Sequence, residues 1–119
     1  MLATGDVTVL PEIISEDCVF LSPVIHTPQE GRDIAVMYLS AAAHVLRDGF
    51  HYVKEVVSDN HAVLEFICTI DDITVNGVDI MTFNEDGLIS EFKVMVRPKK
   101  AMDKLHEKMK AMLEALAAG

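Results

Sequence analysis

The sequence predicts an α+β domain in which helices gather on one side of an antiparallel sheet. Three observations predict it. From Phe50 to Arg97 four strand-like segments follow one another with short turns and no helix between them, the pattern of an antiparallel sheet. Two other segments, Asp33 to Arg47 and Lys99 to Ala118, repeat apolar residues at helical spacing. The chain has 119 residues, enough for one core but too few for separate cofactor and substrate domains, so one domain over 1–119 is expected.

Taken in order, Asp6 to Ile14 is a short apolar segment interrupted by Pro11, followed by a strand from Cys18 to Ser22 that Pro23 stops. His26 to Gly31 (HTPQEG) is a loop, and Arg32-Asp33 opens a helix that Asp48-Gly49 ends. Asp33 suits that helix start as a favourable charge or cap. Ile34, Met37, Tyr38, Ala41 and Val45 fall on one face of it. The strands that follow are Phe50 to Val57, His61 to Asp71, Thr74 to Phe83 with an Asn76-Gly77 kink, and Leu88 to Arg97. After Pro98, a stripe of Met102, Leu105, Met109, Met112, Leu113 and Leu116 marks a helix of about five turns. That stripe must pack on the sheet, on a second subunit or across a pocket mouth; methionines suit any of these.

Composition narrows the function classes. Ten Lys and Arg against nineteen Asp and Glu give a net charge of −9, which repels phosphate backbones and anionic membrane surfaces, so nucleic acid and membrane are not expected partners. No apolar run approaches the roughly 20 residues of a membrane helix. The start, MLATGDVTVLPEI, has neither the basic nor the apolar region of a signal peptide, and a cytoplasmic protein is expected. Cys18 and Cys68 both lie in strand-like apolar runs, where two buried thiols are the simpler reading and a disulfide the alternative. The histidines at 26, 44, 51, 61 and 106 lack metal-ligand spacing, and no Gly-rich phosphate loop occurs, so neither metal nor organic cofactor is expected.

Asp79 stands out. It is a carboxylate within the apolar strand GVDIMTF, and alternation at period two places it on one face with Met81 and Phe83. The same alternation collects Phe20 and Ser22, Leu64, Phe66, Cys68 and Ile70, and Phe92, Val94 and Val96 on that concave face. A mostly apolar pocket with a few convergent polar groups is what a small-molecule site looks like. The candidate ligand-binding residues are therefore Phe20, Ser22, Leu64, Phe66, Cys68, Met81, Phe92 and Val94. The candidate catalytic residues are Asp79, with Tyr38 from the helix and His26 from the loop as assistants. The alternatives are a structural Asp79 bonded to Tyr38 or a backbone amide, and a solvated His26. The other sheet face, with Val63, Glu65, Ile67, Thr69, Glu91, Lys93, Met95 and Arg97, mixes apolar and charged groups and suits a homodimer.

The element order, with EDCVFLSP, GRD at a helix start, GVDIMTFNEDGLISEF and a final VMVRP, resembles the SnoaL-like branch of the nuclear transport factor 2-like superfamily. The resemblance implies a cone-shaped curved sheet wrapped around helices and an apolar cavity, the fold shared by ketosteroid isomerase, limonene epoxide hydrolase, scytalone dehydratase and polyketide cyclases. It does not fix a function. Matched to ketosteroid isomerase, Asp79 falls at the oxyanion-hole aspartic acid, a group kept protonated to donate a hydrogen bond. Ser22 falls at the general base, where a hydroxyl cannot abstract a carbon-bound proton unaided. The remaining tyrosine position would precede Met1. The arginine and paired aspartates of limonene epoxide hydrolase would fall near Ile67, Thr69 and Val94, none of which activates water. With the N-terminal helical region shortened, the stripe from Met102 to Leu116 is expected to close the cavity, as a lid or as an element exchanged in a dimer. The expected activity is an isomerase, cyclase or hydrolase acting on an apolar cyclic compound; the alternatives are a non-catalytic carrier and an assembly module.

Overall fold

A regular meander forms the body of the sheet. In the structure, a computed structural model describing residues 7–118, strands β3 (His51–Val57), β4 (His61–Ile70), β5 (Ile73–Phe83) and β6 (Ile89–Arg97) pair antiparallel in sequence order. Their turns follow from local chemistry. Asp71 and Asp72, with φ of 46° and 68°, form the two-residue turn between β4 and β5, in the left-handed region that short polar side chains tolerate. The turn between β5 and β6 is held by Asn84, whose side-chain oxygen accepts from the backbone N–H groups of Asp86 and Leu88, each at 3.0 Å.

The N-terminal part docks on the far edge of this meander. A short helix α1 (Leu10–Ile13), with Pro11 in the first turn where no backbone donor is needed, leads into β1 (Ile14–Leu21). Residues 1–6, where the segment expected from Asp6 begins, lie outside the described residues. β1 begins four residues earlier than the Cys18 start expected for it. It also corrects the expectation of a wholly antiparallel sheet: β1 runs parallel to β6, pairing Phe20 with Phe92, and a two-residue strand β2 (Gln29–Glu30) pairs antiparallel on its outer side. The helix between β1 and the meander supplies the crossover that a parallel pair requires. The sheet order is β2-β1-β6-β5-β4-β3. Register shifts in β1, β3 and at the end of β5 bend this sheet, as bulges do.

Two helices fill the concave side. α2 (Arg32–Val45) packs against β1 and α3, and α3 (Lys99–Ala118) against β5, β6 and α2. Gly31, at φ 108°, precedes α2 with no side-chain cap, and Asp33 in the first turn supplies favourable charge. Arg32 Nε donates to the Ile14 carbonyl at 2.9 Å and ties the helix start to β1. The buried row of α2 is Ala35, Leu39 and Ala42, continued by Leu46 at its C-terminal cap, with Ala41 and Ala43 beside it. The expected face is corrected in part: Ala41 is buried and Tyr38 and Val45 pack against the core as expected, but Ile34 and Met37 are each 37 % exposed, because the small alanines let α2 approach its neighbours closely on the adjoining row. Gly77 is not a kink. β4 and β5 pair without a register shift there, and the glycine instead makes room for the Phe66 ring, which a Cβ at position 77 would meet at 2.3 Å. Cys18 and Cys68 are free and buried, and burial is the main cause raising each thiol to about 11.

Candidate functional site

β5 carries its alternate side chains Val75, Asp79 and Met81 into the core, so pleat alone turns Asp79 inward. The residue is 1 % exposed, and among the described residues its Oδ2 is the one buried side-chain nitrogen or oxygen with no hydrogen-bond partner. Burial is the cause that pushes its carboxyl up from 3.8 to about 7. Its cross-strand neighbours are Leu64 and Val94, both apolar. A carboxyl so placed is available near neutral pH in both protonation states, as hydrogen-bond donor or as base.

Asp79 opens onto a cavity of about 20 Å³, whose other walls are Phe20, Ser22, Pro23, Val24 and Val94, with Leu39 and Ala42 from α2, Leu46 just past its end, and Leu105 and Met109 from α3. That is room for about one water. Ser22 is the other polar side chain of the wall, and its hydroxyl accepts from the Val24 N–H at 3.1 Å. Among the described residues, no group of three or more His, Cys, Asp or Glu is arranged to hold a metal ion.

Of the candidates named from the sequence, Phe20, Ser22, Asp79 and Val94 meet in this lining. Phe66, Cys68, Met81 and Phe92 are buried on the same sheet face but outside the lining, and Leu64 is half-buried beside Asp79 in the ladder. Tyr38 is not brought to Asp79: its ring stacks on Phe20, with centroids 5.3 Å apart, and it does not reach the cavity wall. His26 is exposed on the loop between β1 and β2, and it too is absent from the wall. In the structural alternative, Asp79 bonded to Tyr38 or to a backbone amide, Oδ2 takes no part, since it has no hydrogen-bond partner. The helical walls were missed. The signal for Leu39, Ala42 and Leu46 was their three- and four-residue spacing, overshadowed by the bulkier row that begins at Ile34. Tyr52 was also missed. It lies on β3 opposite Phe66, and burial, then the Asp79 charge, raises its hydroxyl well above the usual range.

Comparison with known proteins places this architecture. The sequence pattern of the SnoaL-like domain matches residues 1–92. The chain belongs to the SnoaL-like family. No curated protein matches it. Among solved structures, this SnoaL-like chain is similar to a steroid delta-isomerase from Pseudomonas aeruginosa, at 32 % identity and a TM-score of 0.94 over 99 % of this chain and 87 % of that one. It is similar also to an uncharacterised cystatin-like-fold protein from Silicibacter pomeroyi, at 32 % identity and a TM-score of 0.88 over 93 % and 78 % of the two chains. A nuclear transport factor 2-like protein of unknown function from Mesorhizobium loti is 28 % identical, with a TM-score of 0.71 over 80 % of each chain. The SnoaL-like fold thus extends through all six strands and α3, beyond the segment that the family pattern covers.

No helix among the described residues is long and apolar enough to cross a membrane. Outside the concave side, an open groove of about 400 Å³ runs across the outer sheet face between Val56, Val63, Val78 and Met95. Lys54, Glu65, Asn76 and Arg97 rim it; Lys54 Nζ lies 3.7 Å from Glu65, and Arg97 donates to Asn76 at 3.3 Å.

Proposed function

We propose that this protein holds an apolar, cyclic small molecule against Asp79 and acts on it through that carboxyl, as acid or hydrogen-bond donor, in an isomerase- or cyclase-type reaction. The observation that supports it is the unpartnered Oδ2 of a buried Asp79 facing apolar walls. Leaving such a group unsatisfied costs about 1–3 kcal/mol, a cost that a ligand carbonyl or hydroxyl would offset. The likeness to a steroid delta-isomerase at 32 % identity favours a ring compound with an oxygen acceptor.

Native mass spectrometry of the purified protein, followed by denaturation and analysis of what is released, is expected to find an apolar oxygen-bearing compound. Asp79→Asn keeps a donor but cannot give up a proton, so it should spare binding and abolish turnover if Asp79 acts as an acid, or only slow it if Asp79 acts as a hydrogen-bond donor, whereas Asp79→Val should weaken binding by about tenfold or more. Equal binding by Asp79→Val would remove Asp79 from the contact. A second reading, a non-catalytic carrier, is favoured by one feature: the wall contains no ionisable side chain besides Asp79 to act as a partner acid or base. Binding without turnover in the unaltered protein would decide for it.

The outer sheet groove supports a homodimer. Val56 and Met95 are 65 % and 49 % exposed there, and the rim carries both signs of charge, the self-complementary mixture that an isologous contact uses. Light scattering should give twice the chain mass, and Val56→Glu/Met95→Glu should give the chain mass; a monomer in the unaltered protein at high concentration would refute the dimer.

A further inference from the structure

A cavity of about 20 Å³ and a ligand of ring size do not agree, since pockets for drug-sized molecules are about 300–1,000 Å³. The walls that make it small include Leu105 and Met109, 3 % and 8 % exposed, which reach in from α3. Resting on the small-molecule reading above, we propose that α3 is a displaceable stopper: a surface latch of Asp71 with Lys104 and Lys108 holds it shut, and a ligand meets Asp79 only where Leu105 and Met109 have withdrawn.

Three features of α3 carry this. Its buried side chains form a single row, Ala101, Leu105 and Met109, while Met102, Met112 and Leu113 are half-buried and Leu116 is exposed. A helix anchored along one row has less apolar surface to separate than the sheet has. Second, α3 contributes nothing to the strand ladder, whose six strands bond to one another without it, so its departure leaves every sheet hydrogen bond intact. α2 and the concave face would then line a wider chamber, with Asp79 on its floor.

The third feature is the latch. Asp71 occupies the left-handed turn between β4 and β5, and its Oδ2 lies 3.1 Å from Lys108 Nζ and 3.7 Å from Lys104 Nζ. Lys104 also meets Glu107 at 3.2 Å. Hydrogen bonding to Lys108 is the largest cause lowering the Asp71 carboxyl below its ordinary value. These groups fix the middle of α3, beside Leu105 and Met109, to the end of the sheet. They are partly exposed, so the ion pairs are weak and salt screens them, as suits a closure that must reopen.

Hydrogen exchange read by mass spectrometry on the full chain tests the stopper, comparing the unaltered protein with Lys104→Gln/Lys108→Gln and with Asp71→Asn. The amides of 99–113 should exchange about tenfold faster in both variants, and faster in the unaltered protein at about 1 M salt than at low salt, while those of β5 stay unchanged. Nile red, a neutral planar ring compound with a carbonyl oxygen, should enter the latch variants several-fold faster than the unaltered protein. Should the α3 amides exchange only together with β5 and ignore the latch variants, α3 opens only by global unfolding and the proposal fails. Leu105→Ala/Met109→Ala separates the two ideas. Dye uptake by that variant with no response to the latch variants would keep the chamber and sink the stopper; no uptake by any variant would sink both.

Discussion

Asp79→Asn is expected to make the protein more stable at pH 8 and less stable at pH 4. The carboxyl is held near 7 in the folded chain by burial, against 3.8 ordinarily. Below pH 3.8 both folded and unfolded chains keep the proton, and the group contributes no pH dependence. Between 3.8 and about 7 the unfolded chain releases it while the folded chain does not, so stability falls as pH rises, by about 1.4 kcal/mol per pH unit. Across that window the loss is about 4 kcal/mol, against a whole-domain stability of about 5–15 kcal/mol. Asparagine removes the titration but buries an amide in the same apolar place, at about 1–3 kcal/mol. The two profiles should therefore cross between pH 4 and pH 8, with the variant ahead by about 1–3 kcal/mol at the upper end. Denaturant unfolding of both proteins at pH 4, 6 and 8 measures this, and the difference between them isolates Asp79 from the other acids. Parallel profiles would show that Asp79 is not held protonated. The same linkage acts on a ligand: one that accepts a hydrogen bond from Asp79 should bind more weakly as pH rises above 7.

Phe66 and Gly77 should show a large and strongly non-additive pair of effects. Phe66 is fully buried, stacks on Phe50 with centroids 4.9 Å apart, and lies across Gly77 in the neighbouring strand. Phe66→Ala removes that ring and should cost about 3–5 kcal/mol. Gly77→Ala places a methyl 2.3 Å from the Phe66 ring, closer than any contact allows, and the ring cannot retreat because Phe50 backs it. Overpacking of this kind should cost about 1–3 kcal/mol. In the double variant the methyl has nothing to strike and partly fills the vacated space. Its own cost should vanish, so the double variant should lie at or above the stability of Phe66→Ala. Simple additivity in the double-mutant cycle would mean that the strands, and not the ring, absorb the added methyl.

These sites differ in how far the sequence reveals them. The four meander strands and α3 were legible to within one or two residues, because period-two alternation, Asp and Gly turns and Pro98 are local signals. Asp79 was legible for the same reason: a charge on the apolar side of an alternating strand is conspicuous. The pairing of β1 with β6 was not, since nothing near Phe20 encodes a partner at Phe92. The buried side of α2 was misread in part because alanines at 35, 42 and 43 weigh little in an apolar pattern yet decide how closely helices approach. The size of the cavity depends on where Leu105 and Met109 of α3 come to rest, which is a matter of tertiary packing. His26 and Tyr38 were plausible by type, but His26 is exposed on the loop between β1 and β2 and the Tyr38 ring stacks on Phe20.

The parallel junction of β1 with β6 bears on how this chain is made. As synthesis proceeds from the N-terminus, Ile14, Val19 and Phe20 emerge first, and their main-chain partners on β6 follow only after more than half of the chain has been added. The antiparallel hairpins can close as they appear, each strand beside its predecessor. β1 can close early only on β2, along its other edge. Until Ile89 to Lys93 are out, the edge of β1 that faces β6 waits unpaired, so the period between the first strand and the last is when this protein is most exposed to pairing with the wrong chain.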